Sequence, residues 1–107
     1  MKEKLIEEIK EVGIDANGRL YVTPKQENFE FIWRYAAGVN WDKELLRLYS
    51  PVPTQEMTYY DWFKQIQLAA EYEYGIILRL KEKTSWNNIP DSLKALMQSN
   101  NESERTT

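Results

Sequence analysis

The stretch TYYDWFKQIQLAAEYEYGIILRLK, residues 58–81, decides the fold class because a helix pattern changes into a strand pattern at one glycine. Thr58 is a favourable N-cap residue, and from Trp62 onward apolar side chains recur at helical spacing on one face. Gly75 ends this pattern, since a residue that tolerates a left-handed conformation commonly ends a helix. Residues 76–81 then show a period of two, which is typical of a strand. The stretch predicts a helix that leads directly into a strand.

A β-hairpin is predicted for residues 40–53, NWDKELLRLYSPVP. Residues 42–44 form its charged turn, and two prolines near its end stop the second strand because they cannot donate ladder hydrogen bonds. The alternation favours a buried Trp41; the alternative is that Trp41 faces a ligand or a partner. The side chains predicted to join it in the core are Leu46 and Leu48. Those predicted to point outward are Arg47 and Tyr49.

Three further helices and one strand are predicted. Residues 2–12 carry an amphipathic helical pattern that a glycine ends, and residues 24–37 follow a capping box that begins at Thr23. Another helix is predicted for residues 88–97. An Asn-Gly pair before a β-favouring run predicts either a small hairpin or a turn that leads into a single strand over residues 19–22.

The predicted fold is α+β, with its elements in the order α-β-α-β-β-α-β-α. This order favours a three- or four-stranded antiparallel or mixed sheet packed by about four helices. The 107 residues of the chain suit a single domain, which we assign to residues 1–98. Residues 99–107 are polar and without periodicity, so we expect a disordered tail.

The composition excludes several kinds of chemistry. The chain has no Cys and no His, so a thiol nucleophile, a Ser-His-Asp mechanism and a zinc site with these ligands are ruled out. Its four glycines are isolated and form no phosphate-binding loop. We therefore expect no cofactor and no metal. An enzyme would have to work through carboxylate or tyrosine side chains, and a non-enzymatic role is favoured.

The charge and hydropathy bear on partners and location. The formal net charge is −3 and the pI is near 5.0, which argues against nucleic acid as a partner because nucleic acid attracts basic surfaces. The first residues are charged throughout and resemble no secretory signal. No apolar run approaches the roughly 20 residues that span a bilayer. We expect no membrane partner and a cytoplasmic location.

The predicted helix after Thr58 carries a candidate partner-binding face. Helical spacing aligns polar and tyrosine side chains away from the apolar stripe, and two more tyrosines flank the exit of the helix. A mixed acidic and aromatic face suits a basic protein partner. The alternative is a solvated helix whose tyrosines lie at the core margin, with Gln67 on the same line. The side chains assigned to this face are Tyr60, Lys64, Glu71, Tyr72 and Tyr74.

A second candidate is an anion site on one face of the sheet. Arg47 and Arg79 lie on different predicted strands, each opposite in phase to the main apolar residues. If these strands are neighbours, the cations gather, with Arg34 nearby, and could hold a phosphate or a carboxylate. The alternative is that the charges serve solubility. The side chains assigned to this site are Arg47, Tyr49, Arg79 and Lys81.

Self-association is a further expectation. Phe31 and Tyr35 form a second apolar stripe on the predicted helix over residues 24–37, and this stripe needs a cover. A two-fold homodimer would supply one. Phe31 and Tyr35 are therefore the candidate oligomer interface.

Three function classes remain open. The first is a non-enzymatic protein-binding domain of the immunity or adaptor type, supported by the many Trp and Tyr residues and the acidic charge. The second is a small-molecule or anion-binding domain, and the third is a carboxylate- or tyrosine-based enzyme. In size, composition and lack of motifs, the chain resembles the small orphan proteins of bacterial integron gene cassettes. This resemblance implies a bacterial origin and an accessory role.

Overall fold

A computed structural model of the protein describes residues 5–34 and 37–105. In this part of the chain the fold is mixed α+β, with a six-stranded sheet and two α-helices. The strands are β1 (Leu5–Ile14), β2 (Leu20–Pro24), β3 (Asn40–Asp42), β4 (Arg47–Tyr49), β5 (Ile76–Arg79) and β6 (Ser85–Asn87). The helices are α1 (Tyr59–Tyr74) and α2 (Asp91–Arg105), and a short 3₁₀ turn occupies Ile32–Arg34.

The α+β class is confirmed, whereas the predicted numbers of helices and strands are wrong. The observed order of strands and α-helices is β-β-β-β-α-β-β-α. Two of the predicted helices are not α-helices, and β6 was not predicted at all. The division into a domain over residues 1–98 and a tail over residues 99–107 stays a prediction, and α2 runs across this boundary to Arg105.

The stretch that changes from helix to strand is confirmed in detail. The Thr58 hydroxyl accepts a hydrogen bond from the Asp61 N–H at 3.2 Å, and the Asp61 carboxylate accepts the Thr58 N–H at 3.0 Å. This reciprocal capping box starts α1. Gly75 ends α1 with a φ of 69°, a left-handed conformation that suits glycine. The chain then enters β5 at once.

The first predicted helix, over residues 2–12, is wrong in its described part, because residues 5–12 lie in the strand β1, whereas residues 2–4 lie outside the described residues. The pairing of β1 with β2 contains a bulge between Ile9 and Glu11. A bulge inserts one residue and shifts the inward phase of the strand. Glu7 and Ile9 are buried before the bulge and Val12 is buried after it. The spacing of three between Ile9 and Val12 therefore looks helical in the sequence although both lie on one strand.

The long strand β1 organises the sheet, whose order is β3-β4-β2-β1-β5. One edge of β1 pairs antiparallel with β2. The other edge pairs in parallel first with β5, at Leu5 to Glu8, and then with β6, at Glu11 to Gly13. Because β5 and β6 share this edge, they follow one another along β1 as two parts of an interrupted strand.

The core lies on the face of the sheet that carries Val12, Val22 and Leu48, three buried residues in register on neighbouring strands. Helix α1 packs there through the apolar stripe that the sequence predicts, and Met97 of α2 is also fully buried. The hairpin of β3 and β4 is confirmed, and Trp41 lies half-buried against this core. The opposite face of the sheet carries mainly polar and tyrosine side chains.

The second predicted helix, over residues 24–37, is wrong over its described residues 24–34 and 37, apart from the 3₁₀ turn. Thr23 pairs with Glu11 inside the sheet and does not cap a helix. The backbone N–H groups of Gln26 and Glu27 instead donate to one carboxylate oxygen of Glu7, at 2.5 and 2.9 Å. Glu7 is only 5% exposed, so a buried carboxylate distant in sequence fixes this segment as a loop.

Replacement of Glu7 by alanine should lower the free energy of unfolding by about 1–3 kcal/mol, because two backbone donors lose their acceptor. Urea unfolding followed by circular dichroism measures the change. The matched control is Glu8→Ala, which removes a carboxylate 3.8 Å from the exposed amine of Lys25 and should cost about 0–1 kcal/mol. Equal losses in the two variants would show that the loop does not depend on Glu7.

Candidate functional site

Three segments meet at one end of the molecule. The N–H of Leu5, at the start of β1, donates to the carbonyl of Gly75 at 3.1 Å, so β1 begins where α1 ends. The N–H of Phe31 donates to the Tyr74 hydroxyl at 2.8 Å, which places the loop after β2 at the same end. Because β4 runs antiparallel to β2, the turn before β4 also points to this end.

Most of the exposed large apolar side chains lie at this end. The described part of the chain has ten of them, and seven belong to these segments or to the last turn of α1. Contiguous exposed apolar surface is uncommon in monomeric proteins and marks interaction sites. We call this set the apolar end. Its members are Leu5, Ile6, Phe31, Trp33, Leu45, Leu46 and Tyr72.

The aromatic side chains of the apolar end are held in place by contacts within the chain. Phe31 and Trp33 are 46% and 56% exposed, and the Arg34 guanidinium lies 4.5 Å and 5.9 Å from their ring centroids. The buried Phe29 ring anchors this segment, since it meets the Tyr74 ring edge-on at a centroid distance of 5.1 Å. Aromatic and arginine side chains are the residue types enriched at the energetic centres of interfaces.

The turn between β3 and β4 supplies the second part of the apolar end. One carboxylate oxygen of Asp42 accepts the N–H groups of Glu44 and Leu45, both at 3.0 Å, which fixes the turn. Leu46 has a φ of 56° and is 52% exposed. The prediction that Leu46 joins the core is therefore wrong. The turn extends to Leu46, which moves this residue out of the alternation that buries Leu48.

The structure divides the predicted partner-binding face on α1. Tyr72 and Tyr74 lie at the apolar end, and Tyr74 is engaged internally with Phe29 and Phe31. Tyr60 and Lys64 lie toward the other end of α1, where the Lys64 amine is 4.6 Å from the Tyr60 ring centroid.

The row of side chains on α1 between Lys64 and Tyr72 is not continuously exposed. Gln67 is buried, and its side-chain amide donates to the Leu78 carbonyl at 3.1 Å. Glu71, one turn further along α1, is partly buried. The predicted face is therefore not one continuous exposed surface. Binding of a partner by these side chains stays a prediction.

The cations of the predicted anion site are not brought together. Arg47 and Tyr49 lie on β4, whereas Arg79 lies on β5 and Lys81 follows it, with β2 and β1 in between. At about 4.8 Å per strand, β4 and β5 are about 14 Å apart. Arg34, the further cation considered, lies at the apolar end. The hypothesis required these strands to be neighbours, and they are not. Anion binding itself stays a prediction.

Arg47 instead belongs to a compact polar cluster on the outer face of the sheet. Its guanidinium lies 3.9 Å from the ring centroid of Tyr21, which is 2% exposed. The Tyr21 hydroxyl donates to the Glu11 carboxylate and accepts from the Asn87 side-chain amide, both at 2.9 Å. This cluster joins β1, β2, β4 and β6 by contacts distant in sequence, and the sequence pattern did not indicate it.

Tyr21 can cross β1 only because Gly13 has no side chain. A Cβ atom at Gly13 would lie 2.3 Å from the Tyr21 ring. Gly13 was expected to end a helix, whereas it lies within β1, and its role is to leave room for the ring. Burial raises the pKa of the Tyr21 hydroxyl, and the nearby Glu11 carboxylate raises this pKa too, while the hydrogen bond from Asn87 opposes them.

The predicted oligomer interface is described in part. Phe31 is exposed at the apolar end, and Tyr35 lies outside the described residues. Five members of the apolar end were not predicted as site residues, namely Leu5, Ile6, Trp33, Leu45 and Leu46. A signal for two of them exists in the sequence, namely a pair of adjacent leucines beside the charged turn of the predicted hairpin.

Within residues 5–34 and 37–105, no three acidic side chains converge as metal ligands. No helix there is both long enough and apolar enough to cross a bilayer.

These features describe a small mixed α+β protein with one apolar end. A family model described as Integron Cassette Protein Hfx_Cass5 matches residues 7–84. The chain therefore belongs to the Hfx_Cass5 family of integron cassette proteins, which confirms the resemblance noted from the sequence.

A solved structure of this family is also similar to the chain. Its title is "Structure from the mobile metagenome of North West Arm Sewage Outfall: Integron Cassette Protein Hfx_Cass5". The two sequences are 37% identical, and the match covers 92% of this chain and 95% of the other, with a TM-score of 0.44. Among curated proteins, no match is found.

The close approach at Gly13 gives a prediction about stability. Gly13→Ala should lower the free energy of unfolding by about 1–3 kcal/mol, because the added methyl group displaces the Tyr21 ring from a packed position. A double-mutant cycle with Tyr21→Ala provides the control, and urea unfolding provides the measurement. The cost of Gly13→Ala should largely vanish once the ring is removed. An unchanged cost in that background would show that the Tyr21 ring is not the cause.

The raised pKa of Tyr21 gives a prediction about pH. Folding favours the protonated hydroxyl, so its contribution to stability is present below the ordinary pKa of 10.0 and is lost as the pH rises through the higher folded-state pKa. Above about pH 10, the free energy of unfolding should therefore fall more steeply with rising pH in the wild type than in Tyr21→Phe. Parallel slopes in the two proteins would contradict this prediction.

Proposed function

We propose that this integron cassette protein is a non-enzymatic protein-binding domain, of the adaptor or immunity type, whose interface is the apolar end. One observation carries the proposal: seven of ten exposed large apolar side chains in the described residues occupy one end of the molecule. Single exposed apolar residues are ordinary on a protein surface, whereas their concentration in one region is typical of an interaction site.

The support beneath these side chains favours binding. Phe29 packs under the segment that carries Phe31 and Trp33, and the Asp42 carboxylate fixes the turn that carries Leu45 and Leu46. A surface that is ordered before binding loses less conformational entropy when a partner docks. The apolar end is therefore suited to a specific partner.

The alternative of a small-molecule or anion-binding domain lacks comparable support. Arg47 and Arg79 lie on strands separated by two others, and the Arg47 guanidinium stacks on Tyr21 within the outer-face cluster. No observation in the described residues favours this function over protein binding.

Photo-crosslinking tests the proposal directly. A benzophenone amino acid is placed at Trp33, in the apolar end, and in a matched variant at Leu68, which is also exposed but lies in the middle of α1. In a bacterial lysate we expect a discrete protein adduct from position 33 and none from position 68. Differently tagged copies of the chain distinguish a second copy from another protein.

Two results would contradict the proposal. Adducts of equal yield from both positions would indicate non-specific contact, and adducts only from position 68 would place the interface elsewhere. Circular dichroism of both variants confirms that each remains folded before crosslinking.

A further inference from the structure

The outer edge of β5, on the side away from β1, pairs with no strand in the described part of the chain. The N–H of Leu5 donates to the Gly75 carbonyl, and Leu5 lies opposite Ile76 in the parallel register. In a parallel ladder, successive residues of a strand direct their backbone groups to opposite edges. The backbone N–H and C=O groups of Ile76 and Leu78 therefore point to the outer edge, whereas those of Ile77 point to β1.

The composition of this segment favours pairing with further strands. Residues 76–81, IILRLK, contain four branched apolar side chains in six positions and no proline. An exposed edge of such a segment is a template for strand addition and aggregation. Natural sheets therefore cover or block edges of this kind, and we expect the same here.

The side chain of Gln67, on α1, lies at this edge. Its amide nitrogen donates to the Leu78 carbonyl at 3.1 Å, which agrees with the outward direction that the register gives to this carbonyl. Gln67 is only 8% exposed, although it lies among the apolar side chains through which α1 packs on the sheet. A buried amide is costly unless it is hydrogen-bonded, so its position points to a specific role. The amide occupies the place of a donor on a neighbouring strand.

We propose that Gln67 blocks the outer edge of β5 by supplying, from α1, a hydrogen bond that an added strand would otherwise make. The strand most readily added is β5 of a second copy, because two identical edges can pair across a two-fold axis. Such a strand would have to displace Gln67 and leave its buried amide without the Leu78 carbonyl, which is costly. This role does not depend on the apolar end.

The wild type provides the first test. Hydrogen bonding and burial should slow the exchange of the Gln67 side-chain amide protons with solvent by about tenfold or more relative to those of Gln65. Gln65 is a suitable reference because it lies on the same helix and is only partly buried. Nuclear magnetic resonance of the full chain measures both rates.

Replacement of Gln67 by methionine tests the consequence, since methionine keeps the length of the side chain but cannot donate. The Leu78 carbonyl then lacks this donor, so the thermal midpoint should fall by about 4–15 °C. The open edge should strengthen self-association by about tenfold or more in sedimentation experiments. Amide hydrogen exchange should show the protection gained at Ile76 and Leu78. The matched control, Gln65→Met, should associate as the wild type does.

Two further variants separate an open edge from a general loss of stability. Ile77 is partly exposed, so Ile77→Lys is tolerated and adds a charge to β5. In the Gln67→Met background, the lysines of two facing β5 strands repel one another, and self-association should return to the wild-type level. The thermal midpoint should stay low, because the Leu78 carbonyl still lacks its donor. Gly13→Ala, destabilised at Tyr21 instead, should associate no more than the wild type.

Four results would overturn the inference. Equal exchange of the two glutamine side chains would show that Gln67 is not held at the edge, and equal association of Gln67→Met and Gln65→Met would show that the edge does not depend on it. Equal association of Gln67→Met and Gly13→Ala would assign the effect to lost stability. Association that persists after Ile77→Lys is added would place the contact outside β5. The crosslinking experiment tests the apolar end separately.

Discussion

The hydroxyl of Thr84 holds the two parts of the sheet in register. Its O–H group donates a hydrogen bond to the Ile9 carbonyl at 2.6 Å, and its oxygen accepts one from the Lys81 N–H at 2.9 Å. Ile9 is the last residue before the bulge in β1, where the regular ladder is interrupted. A buried carbonyl left without a donor at this point would be costly. Thr84 satisfies it, and thereby fixes the crossing from β5 to β6 along one edge of β1.

The apolar end follows from the same bulge. Because the bulge resets the phase of β1, Glu7 points inward, and its carboxylate binds the loop after β2. That loop then places Phe29 in the core and leaves Phe31 at the surface beside the end of α1. A change in the register of one strand therefore determines where the aromatic side chains of the candidate interface emerge.

Elements with local signals could be predicted from the sequence, and elements that depend on distant contacts could not. Helix α1 carries its own cap at Thr58 and its own stop at Gly75, so its bounds follow from nearby residues. The helix expected over residues 24–37 also has local signals, but the distant carboxylate of Glu7 takes the backbone donors of that segment. The strand β1 was mistaken for a helix because its bulge separates two inward residues by three positions.

The candidate site was harder to predict than the fold, because it depends on which segments end at the same place. The hypothesis of an anion site required β4 and β5 to be neighbours in the sheet. Their order along the chain does not reveal that β2 and β1 separate them. The alternation of the hairpin predicts Leu46 in the core as long as the length of the turn is unknown. The residue type of Leu46 also gives no indication that its backbone is left-handed. Each departure from local preference is modest alone. Their coincidence at one end of the molecule is visible only in three dimensions, and it is this coincidence that indicates an interface.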